Sequence, residues 1–263
     1  MEIDYFADNK PSPFIRIPYL FFIRKTEQEA LRMSHLNLTL TNQDKSRLEK
    51  LYFYGHVTDP IQQLGVYEKI SLHNDYRFYG SNSQSNEKVV FVMTGSLSFI
   101  QSDKSIRNFL NVYLPCIEKK ISNYELLIGG SDPSMKLIEY VSKYPNIRLI
   151  ADPVDLSEIV EMGDIYLCPV EMGSGMKLRI MDGLKAGLPV ITHKVSGKGY
   201  EAFIKNGVMF EYDSVNSFNQ SVPKALSVKI NRSQIKDLYV KTFSLESGKR
   251  RLEDILKQQL PTE

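Results

Sequence analysis

Four things are scarce in this chain of 263 residues: cysteine, histidine, net charge and long apolar runs. Its two cysteines, Cys116 and Cys168, both sit inside apolar segments. That placement makes them small core residues of a reduced compartment rather than a disulfide. The four histidines, His35, His56, His73 and His193, show no ligand-like spacing to cysteines or carboxylates, so no metal site is expected. With 33 basic against 31 acidic residues, charge gives no footing for nucleic-acid binding. Contact with an anionic membrane surface would need a local cationic patch. The start, Met1-Glu2-Ile3-Asp4, is acidic and lacks the basic residues and apolar run of a secretory signal. The longest early apolar stretch, Tyr19 to Ile23, falls far short of the ~20 residues that span a bilayer. A cytoplasmic protein is expected, with peripheral membrane association left open.

What is present is enough apolar side chain, 42% hydrophobic and 11% aromatic, to build a core. From Lys88 onward, short apolar runs alternate with helical patterns. Val89 to Met93 reads as a buried strand ending in the turn Thr94-Gly95-Ser96. Ile106, Phe109, Leu110, Tyr113 and Ile117 then mark one apolar helical face. Further strands are expected at Tyr124–Ile128, Ile147–Ile150, Ile165–Cys168, Leu188–Thr192 and Val208–Phe210. Helices are expected around Pro133–Lys143, Leu156–Val160 and Met176–Lys185, the last capped by Gly187. Strands apolar throughout and separated by helices predict a doubly wound α/β domain with a parallel sheet covered on both faces. In such sheets the ligand crevice lies beyond the carboxyl ends of the strands.

The first 75 residues differ. Leu36–Thr41 alternates like a strand, Asp44–Leu51 reads as a helix with Asn42 as N-cap, and Phe22–Met33 looks helical and charged. This amounts to a partial α/β segment. The expected organisation is residues 1–75 as that segment, 76–87 as a polar linker, 88–243 as the α/β domain and 244–263 as a closing helix. Pro18 to Lys25 reads as buried interdomain surface, with membrane or partner contact as the alternative.

The sharpest local feature is Gly173-Ser174-Gly175, placed after a strand and before the helix carrying Asp182. Glycines there let backbone N–H groups approach an anion, and a helix N-terminus adds partial positive charge. Lys177 and Arg179 could add full charges toward a diphosphate. About two turns into the expected helix, the Asp182 carboxylate could accept hydrogen bonds from sugar hydroxyls such as ribose.

From Phe91 to Tyr200 the sequence resembles the C-terminal, Rossmann-like domain of GT-B glycosyltransferases of the large group 1 family. The residues that carry the likeness come in order: Gly95-Ser96-Leu97, Phe109-Leu110, Leu114-Pro115, Ile128-Gly129-Gly130, Ala151, Asp155 and Gly163-Asp164. Then comes Gly173-Ser174-Gly175-Met176-Lys177, running on through Asp182-Gly183-Leu184-Lys185-Ala186-Gly187-Leu188-Pro189-Val190-Ile191.

The resemblance implies roles position by position. Asp182 replaces a family glutamate that holds the nucleotide ribose, one methylene shorter. Gly173, Ser174 and Gly175 fall where the family's loop faces the donor phosphates, with Lys177 at a commonly basic position. Gly95 and Ser96 match the first loop, and Val154 and Asp155 the turn bordering the base. Lys104 and Arg107 are the candidates for the basic residues that many relatives place after the first loop, and His35 is out of place for the family's catalytic histidine. The implied donor is a nucleotide-diphosphate sugar, bound as a substrate without metal or other cofactor. The implied acceptor is a saccharide or lipid-linked hydroxyl in surface polysaccharide synthesis. An alternative is a non-catalytic nucleotide-sugar-binding subunit, or a truncated enzyme completed by a partner chain.

Overall fold

The computed structural model describes residues 12–52, 61–69, 88–173 and 175–259. The expected linker 76–87, together with His56, His73 and Ser174, lies outside the described residues. The chain divides into two compact units. One comprises Met1–Lys69, Gly173–Met176 and Thr242–Glu263, and the other Ile70–Met172 and Lys177–Lys241.

In the first unit, helix α1 (Pro13–Met33) precedes strand β1 (Asn37–Thr39), helix α2 (Asn42–Tyr52) and strand β2 (Ile61–Gln63). The two strands pair in parallel. Leu31, Tyr52 and Ile61 are buried together, with Leu48 against them. Thr41, not Asn42, caps α2: its hydroxyl accepts the Asp44 N–H at 3.0 Å and donates to the Asp44 carboxylate at 2.7 Å. Helix α1 starts well before the expected Phe22, with Pro13 in its first turn, where the missing N–H costs nothing. The stretch expected to be buried is not, since Phe21 and Phe22 are 70% and 67% exposed. The apolar residues of α1 outnumber those its single buried face can use. The final helix of the unit, Leu245–Gln259, is tied down by Arg251, which donates to the carbonyls of Leu64, Val66 and Thr242.

The second unit is the doubly wound domain. Strands β3 (Val89–Thr94), β4 (Tyr124–Gly130), β5 (Ile147–Ala151), β6 (Ile165–Cys168), β7 (Val190–His193) and β8 (Met209–Tyr212) form one parallel sheet in the order β5-β4-β3-β6-β7-β8. The side chains of the four central strands, β4, β3, β6 and β7, are buried almost without alternation, as in a sheet covered on both faces, while the edge strands β5 and β8 are partly exposed. The face expected from Ile106, Phe109, Leu110, Tyr113 and Ile117 is buried, but the helix is not regular. It runs as α3 (Ile100–Asn108), a wider π turn (Phe109–Tyr113) and α4 (Leu114–Glu118). Pro115 explains the break, because it lacks an N–H and its ring crowds the carbonyl of Asn111 four residues back. Tyr113, Tyr212 and Phe218 fill the space with ring centroids 4.8 to 5.1 Å apart.

Helix α7 (Arg179–Lys185) covers β6 through a glycine. A Cβ on Gly183 would lie 2.4 Å from the ring of Tyr166, which is fully buried and cannot yield. Gly183→Ala is therefore expected to destabilise the protein by about 1–3 kcal/mol, although alanine is the better helix former. A urea midpoint that stays where it is would show that α7 can lift off the sheet at no cost.

Candidate functional site

The strand order reverses direction between β3 and β6, and at such a point the helical connections leave to opposite faces. The loops after these two strands therefore flank an open crevice. The first loop is set by two close approaches. Gly95 has φ +143°, a backbone geometry that disfavours side chains, and its N–H donates to the Gly129 carbonyl at 3.1 Å. A Cβ on Gly130 would lie only 1.8 Å from the Gly95 oxygen, so the loop rests directly on the end of β4. Ser96, beside it, shares a 3.0 Å hydroxyl contact with Ser98.

The loop after β6 is held from three sides. Ser196 Oγ donates to the Val170 carbonyl at 2.6 Å, Thr192 Oγ1 to the Cys168 carbonyl at 3.2 Å, and the Asn108 amide to the Glu171 carboxylate. Both cysteines are buried and unpaired, as expected. Further on, Tyr200 OH donates to the Lys177 carbonyl at 2.9 Å. The chain tightens here through three-residue bonds, Ile180 N–H to Lys177 and Met181 N–H to Leu178. Helix α7 thus begins at Arg179, three residues later than expected. Asp182 lies in its first turn, not two turns in. With seven residues and three further residues between it and Gly175, α7 does not present the glycine turn with a helix N-terminus. That part of the expected phosphate cradle is corrected.

Asp182 is half-buried. Its neighbour Tyr166 is fully buried, and the two hydroxyls of Tyr166 and Thr94 meet at 2.7 Å across β6 and β3. Burial drives the Tyr166 hydroxyl far above its ordinary pKa, with Cys168 and Asp182 adding to the rise and Thr94 and Arg179 opposing it. Lys177 is also half-buried. Desolvation lowers its pKa, Arg179 and Lys198 lower it further, and Cys168 opposes them.

Arg179 was legible only as one of two nearby charges. The structure gives it a defined seat: Nη2 donates to Ser102 Oγ at 3.1 Å, and its Cζ lies 2.7 Å from where a Gly95 Cβ would be. Its side chain lines a cavity of about 10 Å³, room for one water-sized group, with Thr94, Ser102 and Ser105. The Ser105 hydroxyl there is buried and has no partner among the described residues.

Of the expected site residues, Gly95 lies against the Arg179 guanidinium, Lys177 feels the charge of Arg179, and Asp182 stands in the first turn of α7. Gly173 and Gly175 have φ of +91° and +72°, as backbone turns that suit glycine, but they group with the first unit. Val154 and Asp155 follow β5, two strands from β3. Val154 is fully exposed, and the Asp155 carboxylate caps the helix Leu156–Glu161 by accepting the Ser157 N–H at 2.7 Å. Of the basic candidates, Lys104 is exposed, while Arg107 pairs with Asp103 and sits 4.6 Å over the Tyr140 ring. His193 ends β7, with Nδ1 accepting the Val195 N–H at 3.3 Å and the ring edge-on to Tyr212. No group of three or more metal-ligating side chains occurs among the described residues.

A doubly wound parallel sheet with a glycine loop at its switch point defines a Rossmann-like α/β class of domain. The comparisons place it more closely: the chain belongs to the group 1 glycosyl transferase family, whose model matches residues 88–227. No curated protein matches by sequence. Among solved structures, the GtfA/B complex is 17% identical with a TM-score of 0.62, over 89% of this chain and 47% of that one. A glycosyltransferase from Rickettsia africae is 12% identical (TM-score 0.61, 90% and 68%). The pneumococcal O-GlcNAc transferase GtfA, in complex with UDP and GlcNAc, is 16% identical (TM-score 0.54, 86% and 44%). At these identities the likeness is one of fold, the GT-B fold, and this chain spans about half the length of GtfA/B.

Two outcomes test the local account. Tyr200→Phe removes the hydroxyl that holds the Lys177 carbonyl and is expected to cost about 1 kcal/mol, measured by thermal melting. For His193, burial holds the pKa below its ordinary 6.5, with Glu171 and Asp213 opposing. The folded form therefore disfavours the imidazolium, so this contribution to stability is full above pH 6.5 and is lost as pH falls through the lower folded pKa. Melting curves across that range should steepen less for His193→Asn than for the parent. Identical pH profiles would contradict the assignment.

Proposed function

We propose that the protein is a glycosyltransferase that binds a nucleotide-diphosphate sugar at the β3/β6 crevice and passes the sugar to an acceptor hydroxyl. Family membership supports the reaction class. The observation that supports the site is the Arg179 guanidinium seated against the Gly95 loop at the switch point, with Lys177 and Asp182 on the same short stretch of chain. On this reading Asp182 accepts hydrogen bonds from the ribose, and the cations and the Gly95 backbone hold the diphosphate. Cationic and backbone donors fixed beside the crevice would stabilise the charge that develops on the leaving diphosphate. Ser96 borders the first loop, and Val154 and Asp155 border the base. The donor serves as substrate, and no metal or further cofactor takes part. The acceptor is a saccharide or a lipid-linked sugar of surface polysaccharide synthesis, reached from the cytoplasm, with peripheral membrane contact. The GtfA neighbour held UDP and GlcNAc, which makes UDP sugars the first donors to try.

A second reading is a nucleotide-sugar-binding subunit that acts with a partner chain, suggested by the GtfA/B neighbour being a complex. Release of nucleoside diphosphate from UDP- and GDP-sugars, with and without acceptor lipid, separates the two. Turnover supports the enzyme, and binding without turnover under any condition supports the subunit. Asp182→Ala is expected to weaken donor binding by about 1–3 kcal/mol, or roughly 5- to 100-fold. Unchanged affinity in calorimetry would remove Asp182 from the site.

A further inference from the structure

Helix α1 has more than one apolar side, and its own unit uses only one. Leu31 is buried with Tyr52 and Ile61, and the Glu27 carboxylate, one turn before it, accepts the Tyr52 hydroxyl. These two residues mark the side that packs. Phe14, Ile17, Pro18, Phe21 and Phe22 recur at intervals of three and four residues and so form a stripe along a different side. That stripe is open: Phe14 is 91% exposed, Phe21 70%, and Ile17 and Phe22 67% each. It stops at two exposed cations, Arg24 and Lys25, and Arg16 adds a third within the same turns. From Pro13 to Thr26 there is no acidic residue. The first carboxylates come in the next turn. Glu27 is turned to Tyr52, and Glu29 lies 3.9 Å from Lys25 in an exposed pair that is worth little in water.

We infer that this stripe is an interfacial anchor that seats α1 on an anionic lipid surface. The anchor stands on α1 alone, independent of the donor site, and gives the peripheral membrane contact proposed above its place in the fold. A helix that lies in a membrane surface needs an apolar side to enter the acyl boundary and cations beside it for the headgroups, and α1 has both. The three phenylalanine rings and Ile17 leave water for that boundary. Arg24 and Lys25 remain at the headgroups, where each phosphate adds to their attraction. The helix lies on the bilayer and does not span it: among the described residues no helix is long and apolar enough to cross a membrane. A second copy of the chain suits the stripe less well. It would bring the same residues 13–26, which hold no acid to meet the cations. An anionic bilayer offers apolar depth and negative charge together.

Sedimentation of the full chain with lipid vesicles, with no donor present, tests the anchor. Vesicles of equimolar phosphatidylcholine and phosphatidylglycerol should bind the protein at least about 10-fold more strongly than phosphatidylcholine alone, and high salt should reduce the difference. Phe21→Ser combined with Phe22→Ser should weaken partitioning into the mixed vesicles about 10- to 100-fold. Its melting curve should match the parent's, because both side chains are already exposed. Arg24→Gln combined with Lys25→Gln should erase most of the preference for anionic vesicles and leave weak binding to either kind. Should the serine pair melt early, Phe14→Ser, at the exposed start of the helix, carries the comparison. Undiminished vesicle binding by the serine variants would overturn the anchor, as would a parent chain that binds neither vesicle or both equally. A parent chain that ignores vesicles but self-associates, and becomes monomeric in the serine variants, would make a second copy the occupant and overturn it too. Donor binding enters none of these outcomes, so failure of the donor site and failure of the anchor are told apart.

Discussion

The close approach of the Gly95 loop to the end of β4 is the constraint on which the rest of the site depends. The Gly95 oxygen occupies the space a Gly130 side chain would fill, so β3 and β4 end in register and the loop lies flat across them. With the loop flat, Gly95 offers its open side to α7. Arg179 fills it and ties in α3 through Ser102. A bulkier residue at either glycine would lift the loop, and the crevice between β3 and β6 would lose one wall. The sheet supplies the crevice by topology; the two glycines decide what can sit in it.

Much of this was open to a reading of the sequence, for a simple reason. A parallel sheet covered on both faces needs strands that are apolar throughout, and Val89–Met93, Leu126–Ile128 and Ile165–Cys168 say so without any contact information. The six strands and the helices between them fall close to where the pattern puts them. The start of α7 does not. Lys177 and Leu178 are good helix formers, and the three-residue bonds that hold the chain out of the α-helix leave no compositional mark. The π turn before Pro115 was hidden for the opposite reason: the apolar spacing on either side continues as if nothing had changed. In the first unit, the apolar run of α1 was expected to be covered because apolar runs usually are, yet Phe14, Ile17, Phe21 and Phe22 face outward.

The site shows the same division. Gly95, Lys177 and Asp182 could be picked out because each belongs to a local pattern. Ser102 could not, since its partner Arg179 is 77 residues away and serine carries no signal of its own. Asp155 illustrates the reverse difficulty. Its position suits the turn bordering the base, while its carboxylate is engaged as a helix cap, a local task that an aspartate before Leu156-Ser157-Glu158 performs in any fold. A residue can match a family position and still spend its chemistry on the backbone.

The electrostatics give the arrangement its logic. The chain as a whole is nearly neutral, at +2, so its cations are not there for long-range attraction. Those beside the crevice are instead concentrated and partly desolvated, and Lys177 feels both burial and the repulsion of Arg179 and Lys198. On the proposed donor-site reading, a diphosphate would pair with these cations in a medium where pairing is stronger than in water. Binding and folding are then linked: a ligand taken only by the native state stabilises it in proportion to the logarithm of its concentration over Kd. On the same reading, the field that would hold a diphosphate in the ground state would act more strongly on the extra negative charge of a departing one, which is where binding energy turns into rate.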